Sequence, residues 1–212
     1  MCDEKKEQAP LKLLAAAPCQ EYSRLIVRYP YQTDGHYAHA YHFSAQRLAS
    51  TFKGRPVDDL MLIPFLALYR QAIELQLKDS IRCLVELRMQ YVDGRTQELE
   101  SAVSLEKFKK GFSHNLHKLL NETKKHYSVF GFPEEFPKSV EMLVLNFHDA
   151  DERGTAFRYA GNLPNTQEHV DFPELAGVLD QGFKKLCCIL DEATYLCECT
   201  PTLAEQEAEA SY

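Results

Sequence analysis

The fold is decided by one apolar stretch, which reads IPFLALYRQAIELQLK over residues 63–78. Apolar residues lie on nearly every side of the helix that this stretch predicts, a pattern typical of a helix packed by neighbours all round. We expect this helix to begin near Asp58, to continue toward Tyr91 and to form the core element. Because Pro64 lies inside it, the proline either kinks the helix or marks its true first turn.

A second helix is predicted before the central one, over residues 36–52. Gly54 and Pro56 end it, because both residues disfavour continuation of a helix. Residues at three- and four-residue spacing predict the face that it turns to the core. This stripe consists of Tyr37, Ala40, Tyr41, Ser44, Ala45 and Leu48.

Three further helices are predicted after the central one. The first begins at Ser113, a good N-cap residue, and the second begins around Pro137. The last begins at Asp171, which stands three residues before Glu174 in the spacing of a capping box. A shorter helix is expected over residues 104–110.

These elements predict an all-α protein, an up-and-down bundle of four to five helices with a long ordered loop before the last helix. We expect residues 1–20 to be a flexible N-terminal segment, 21–200 to be a single helical-bundle domain, and 201–212 to be a disordered acidic C-terminal tail. The long loop covers residues 149–170, and a short strand is possible at 25–29.

The composition narrows the class of protein. Hydrophobic residues make up 45% of the chain, charged residues make up 26%, and no apolar run reaches the roughly 18 residues of a membrane span. The net charge of −7 argues against a grip on nucleic acid by the whole surface, so any such contact must be local. Seven unevenly placed cysteines indicate reduced thiols, and we expect a cytoplasmic protein with no membrane association.

Charged residues interrupt the apolar central helix at regular intervals. Arg70, Glu74 and Lys78 are spaced by four residues and therefore line up along one side of that helix. A charge inside a packed helix needs a partner, because an unpaired buried charge is costly. The three residues either form a salt bridge that fixes the helix register or contribute to a ligand site.

The loop before the last helix mixes charges with aromatic residues over 151–159, which read DERGTAFRY. Phe157 and Tyr159 are expected to anchor the segment on the helices. Arg158 has a planar guanidinium that suits a carboxylate or a phosphate. The alternative is that Arg158 pairs with Glu74 or with Asp151 and only fastens the loop.

Histidines and cysteines suggest further chemistry, with packing as the alternative in each case. His114 and His117 stand three residues apart at a helix start, where capping and packing compete with a metal site. The cysteines near the C-terminus, Cys187, Cys188, Cys197 and Cys199, either pack or sense redox state or metal. Because diagnostic ligand spacings are missing, we expect no metal and no cofactor.

Three blocks together resemble one group of bacterial HEPN-type helical-bundle proteins. They are residues 63–78 with Tyr-Arg, Glu-Leu and Lys, residues 114–119 with His-Asn-Leu, and residues 151–159 with Phe-Arg-Tyr. The resemblance covers about residues 36–198 and implies a helical bundle, frequently dimeric, linked to RNA binding or cleavage in toxin and antiphage systems. It implies one polar site that holds RNA or a nucleotide, formed by Arg70, Glu74, His114, Asp151, Arg158 and Tyr159.

The sequence departs from the catalytic members of that family. Their nucleases carry an Arg followed, after about four to six residues, by a His that acts as acid or base. Here the gap from Arg28 to His36 is seven residues, and Gln71 stands where the group often has a His after Arg70. Catalysis is therefore left open, a metal-independent ribonuclease being the class implied. The alternative is a non-enzymatic protein-interaction module or a subunit of a larger defence complex.

Overall fold

The computed structural model describes residues 32–104, 106–158 and 169–211, which confirm an all-α protein with no strand in these ranges. The predicted N-terminal segment, the possible strand at 25–29 and residues 159–168 of the long loop lie outside the described residues. The described helices are α1 (Asp34–Ala49), a 3₁₀ helix (Pro56–Met61), α2 (Leu62–Tyr91), α3 (Gln97–Ala102), a π-helix (Lys107–Phe112), α4 (Leu116–Ser128), α5 (Lys138–Ala150), α6 (Phe172–Glu198) and α7 (Leu203–Ala210).

Helix α2 is the core element, as its composition predicts. It packs against α1, α4 and α6, while α5 packs against α4 and α6. Its side chains Phe65, Ile73, Leu77, Ile81 and Leu84 are fully buried. The helix starts at Leu62, so Pro64 lies in the first turn, where a missing backbone N–H costs no hydrogen bond.

Among the described helices, only the segment Pro56–Tyr91 is long and apolar enough to pass a length-and-composition test for a membrane span. The core helix of a soluble protein passes the same test. Arg70 and Glu74 are buried within α2 and paired, and α2 is enclosed by three other helices. Its apolar character is therefore explained by its central position.

The predicted core face of α1 is correct at Ala45 and Leu48, which contact the core, and wrong at its other four positions. The residues that α1 buries are Gly35, Ala38, His42 and Ala45. Tyr37 and Tyr41, which the predicted stripe includes, are exposed. The reason is close packing on α2, which small residues permit: a Cβ added at Gly35 would collide with the Asp79 carboxylate.

The ends of the later helices show which signals are reliable. Asp171 caps α6 by accepting a hydrogen bond from the Glu174 backbone N–H at 3.0 Å, as predicted. Helix α4 is capped by Asn115 and not by Ser113, which has a left-handed φ of 50°. The short helix expected over 104–110 is replaced by the π-helix, and α7 lies within the predicted acidic tail.

Candidate functional site

Glu74 is the centre of a buried charge cluster on α2. Its carboxylate is fully buried, and Oε2 accepts a hydrogen bond from Arg70 Nη1 at 2.9 Å. Oε1 lies 2.7 Å from Lys78 Nζ and 2.9 Å from His114 Nδ1. The four-residue spacing on α2 places Arg70 and Lys78 on either side of Glu74 along one face, and the start of α4 brings His114 to the same carboxylate.

Arg70 joins this cluster to the loop after α5. Its guanidinium Nε lies 3.2 Å from Asp151 Oδ2, and its Nη2 donates to the His114 backbone oxygen at 2.7 Å. Asp151 is also buried, and its Oδ1 accepts hydrogen bonds from the Thr155 and Ala156 backbone N–H groups at 2.7 and 2.9 Å. The same carboxylate therefore neutralises Arg70 and closes the loop.

The charge of Glu74 determines which ring nitrogen of His114 carries a hydrogen. Burial by itself raises the pKa of the Glu74 carboxyl, but the hydrogen bonds and charges of Lys78 and His114 outweigh it and hold this pKa below its ordinary 4.5. Glu74 is thus ionised at neutral pH and can only accept hydrogen bonds. His114 Nδ1 must carry a hydrogen, which leaves Nε2 of this half-exposed ring as the nitrogen for other contacts.

The loop packs directly over Arg70 at Gly154. This glycine has a left-handed φ of 73°, and a Cβ added there would lie 3.2 Å from Arg70 Nη2 and 3.2 Å from His114 Cβ. Both the backbone conformation and the close approach favour glycine. The glycine in the DERGTAFRY block therefore has a structural reason, which its position after three charged residues did not reveal.

Arg158 lies beside the cluster. One alternative predicted that it pairs with Glu74 or with Asp151, and it pairs with neither. It is exposed, and its Nη2 donates to the Gln71 side-chain oxygen at 3.2 Å. Phe157 is partly buried and meets Phe147 edge-on at 6.4 Å, so it anchors the loop as predicted. Tyr159 lies outside the described residues, so its expected anchoring role stays a prediction.

Four of the six predicted site residues, Arg70, Glu74, His114 and Asp151, are thus in direct contact. Arg158 is tied to the residue that follows Arg70 in α2. Sequence reasoning missed the residues of an open cavity of about 280 Å³ next to His114, which include Arg82 and Lys109. The run of lysines over 107–110, just before His114, was the one signal that could have indicated it.

His117 and the C-terminal cysteines, for which packing was weighed against metal or redox chemistry, lie outside this cluster. In the described ranges, no three His, Cys, Asp or Glu side chains are placed to hold a metal ion. His117 stacks with His148 at 5.7 Å and bonds Asn121 at 3.2 Å, which is a packing role. Cys187 is partly buried, and burial raises the pKa of its thiol to about 12, which makes it a poor nucleophile.

No family model, curated protein or solved structure matches this chain.

Proposed function

We propose that this chain is a HEPN-like helical protein that binds RNA or a nucleotide at the surface formed by His114 and Arg158. One observation carries the proposal: residues far apart in sequence, on α2, at the start of α4 and in the loop after α5, meet around Glu74. These are the three blocks that resemble the family. Their contact supports the proposal that they form one site.

The cluster has an inner and an outer part. Inside, Arg70 is balanced by Glu74 and Asp151, and all three side chains are buried. Outside, His114 presents Nε2 and Arg158 presents an exposed guanidinium, which donates to the neutral Gln71 amide. A guanidinium that pairs with no carboxylate among the described residues matches a phosphate in shape and charge. The inner part positions the outer part, which contacts the ligand.

The first test is binding of a short single-stranded RNA and of mononucleotides to the purified protein at moderate salt. Replacing Arg158 by Ala removes one charge-assisted contact, so we expect an affinity loss of about tenfold or more. Arg47→Ala is the matched control, because Arg47 is an exposed arginine on α1 that stacks over Phe43. Absence of binding by the wild-type protein, or equal losses in both variants, would contradict the proposal.

The family resemblance extends the proposal to the cellular role. A cytoplasmic protein of a toxin-type or antiphage system, acting as a homodimer or with a protein partner, is the context it implies. Catalysis stays open, since the Arg-to-His motif of the family's nucleases is missing from the sequence. Light scattering of the purified protein tests the dimer directly, and incubation of RNA with the protein in excess chelator tests metal-independent cleavage.

A second candidate function is a non-enzymatic protein-interaction module, and one observation favours it. The buried charges satisfy one another, which is also what a purely structural network requires. Under this hypothesis, Glu74→Ala destabilises the fold, whereas Arg158→Ala leaves the binding of any partner protein unchanged. RNA affinity that depends on Arg158 separates the two functions.

A further inference from the structure

The cavity beside His114 is formed by four different elements. Helix α2 contributes Lys78 and Arg82, the π-helix contributes Phe108 and Lys109, and Ser113 and His114 close it from the start of α4, with Asp34 of α1 opposite. Its volume is about 280 Å³. This is just below the range of roughly 300–1,000 Å³ for drug-sized ligands, so a small polar ligand fits best.

The charges around this cavity do not cancel. Lys78 is held by the buried Glu74 at 2.7 Å, and Arg82 is paired with Asp34, the one carboxylate among the described lining residues. Lys109 is exposed and has no ion pair or hydrogen bond with any residue that the structure describes. The cavity therefore carries a positive charge that the described protein does not neutralise.

The backbone at the rim is irregular in a way that ordinary helix packing does not need. Lys107–Phe112 forms a π-helix, and Ser113, which follows it, is the one described non-glycine residue with a positive φ. Such segments cost free energy and occur frequently at functional sites. Here the irregular segment brings Lys109 and His114 to the same cavity, while Lys110 pairs with Glu106 at 2.8 Å.

We propose that this cavity binds a phosphate group of a nucleotide, with Lys109 Nζ and His114 Nε2 as its ligands. The inference rests on the proposed function and deepens it, because it names the group that is held and the place that holds it. Glu74 orients the imidazole through Nδ1, and Nε2 donates to the phosphate when the ring binds it in the protonated form, in which both nitrogens carry a hydrogen. Phe108, which stacks under Arg82 at 4.3 Å, provides an apolar wall.

The experiment follows the His114 ring resonances by NMR while inorganic phosphate, AMP or adenosine is added to the full chain. Phosphate and AMP should shift the His114 signals in a saturable way, and adenosine should bind at least about tenfold more weakly than AMP, because it lacks the charged group. Lys109→Ala should weaken AMP binding by about tenfold. Lys110→Ala is the matched control, a neighbouring exposed lysine that should leave the affinity unchanged.

A 5′-hydroxyl oligoribonucleotide identifies the source of the phosphate. If it competes with AMP, the cavity accepts a backbone diester, and if it does not, the cavity accepts a terminal phosphate; both results support the proposal. Equal affinities for AMP and adenosine, an unmoved His114 signal, or equal losses in the two lysine variants would overturn it. RNA binding that depends on Arg158 but not on Lys109 would overturn this inference alone and leave the proposed function standing.

Discussion

Replacing Glu74 by Ala removes the carboxylate that Arg70, Lys78 and His114 all contact. Lys78 is partly exposed and His114 is half-exposed, so both can turn toward water, but Arg70 is 3% exposed and cannot. Removing one partner of a buried ion pair costs about 3–5 kcal/mol. Because Asp151 still faces Arg70 at 3.2 Å, we expect the lower end, about 3 kcal/mol.

The measurements are urea denaturation and thermal denaturation, each followed by the circular dichroism of the helices at 222 nm. In a domain of this size, a loss of about 3 kcal/mol lowers the melting temperature by about 6–12 °C. Glu86→Ala is the matched control on the same helix, since Glu86 is exposed, and it should stay within about 0.5 kcal/mol of wild type. A Glu74→Ala variant as stable as Glu86→Ala would refute the reasoning that the buried charges depend on one another.

Two other predictions concern the loop and the effect of pH. Gly154→Ala should destabilise the protein by more than Gly54→Ala. Both glycines have a left-handed φ, which costs an alanine about 1–2 kcal/mol, but only at Gly154 would the new Cβ meet Arg70. Equal losses of stability in urea titrations would count against close packing of the loop. The pKa of Glu74 lies below 4.5 in the folded protein, so its contribution is full above about pH 4.5 and is lost as the pH falls through the lower folded value. Glu74→Gln should therefore show a shallower loss of stability as the pH falls below about 4.5, and an unchanged slope would contradict this.

Much of the fold follows from the sequence because its strongest signals are local. The all-round apolar stretch identifies α2, and the Asp171 N-cap with a proline in the first turn identifies the start of α6. The core face of α1 was not predictable in this way. Its aromatic residues suggest a buried stripe, but α1 buries small residues such as Gly35 and Ala38 instead of Tyr37 and Tyr41, and only the packed pair of helices shows this.

The contacts of the candidate site were likewise predictable only where they depend on local sequence spacing. The four-residue spacing of Arg70 and Glu74 predicts their pairing, because it depends on helix geometry alone. The contact of Asp151 with Arg70 depends on where the loop closes, and the resemblance to a family suggested it where spacing could not. The cavity at Lys109 depends on a π-helix, which has no propensity signal in the sequence, so its lining residues emerged only from the structure.

The arrangement also explains why a binding surface would need so much buried charge behind it. His114 and Arg158 are both exposed, and an exposed side chain loses conformational entropy when it is held by a ligand. Glu74 fixes the His114 ring in advance, and Asp151 fixes the loop that carries Arg158 through two backbone hydrogen bonds. Ordering these groups during folding reduces the entropy that binding must lose, which raises affinity without any additional contact. If the proposed ligand binds, the buried cluster would therefore contribute to its affinity through preorganisation even though its own charges are already matched.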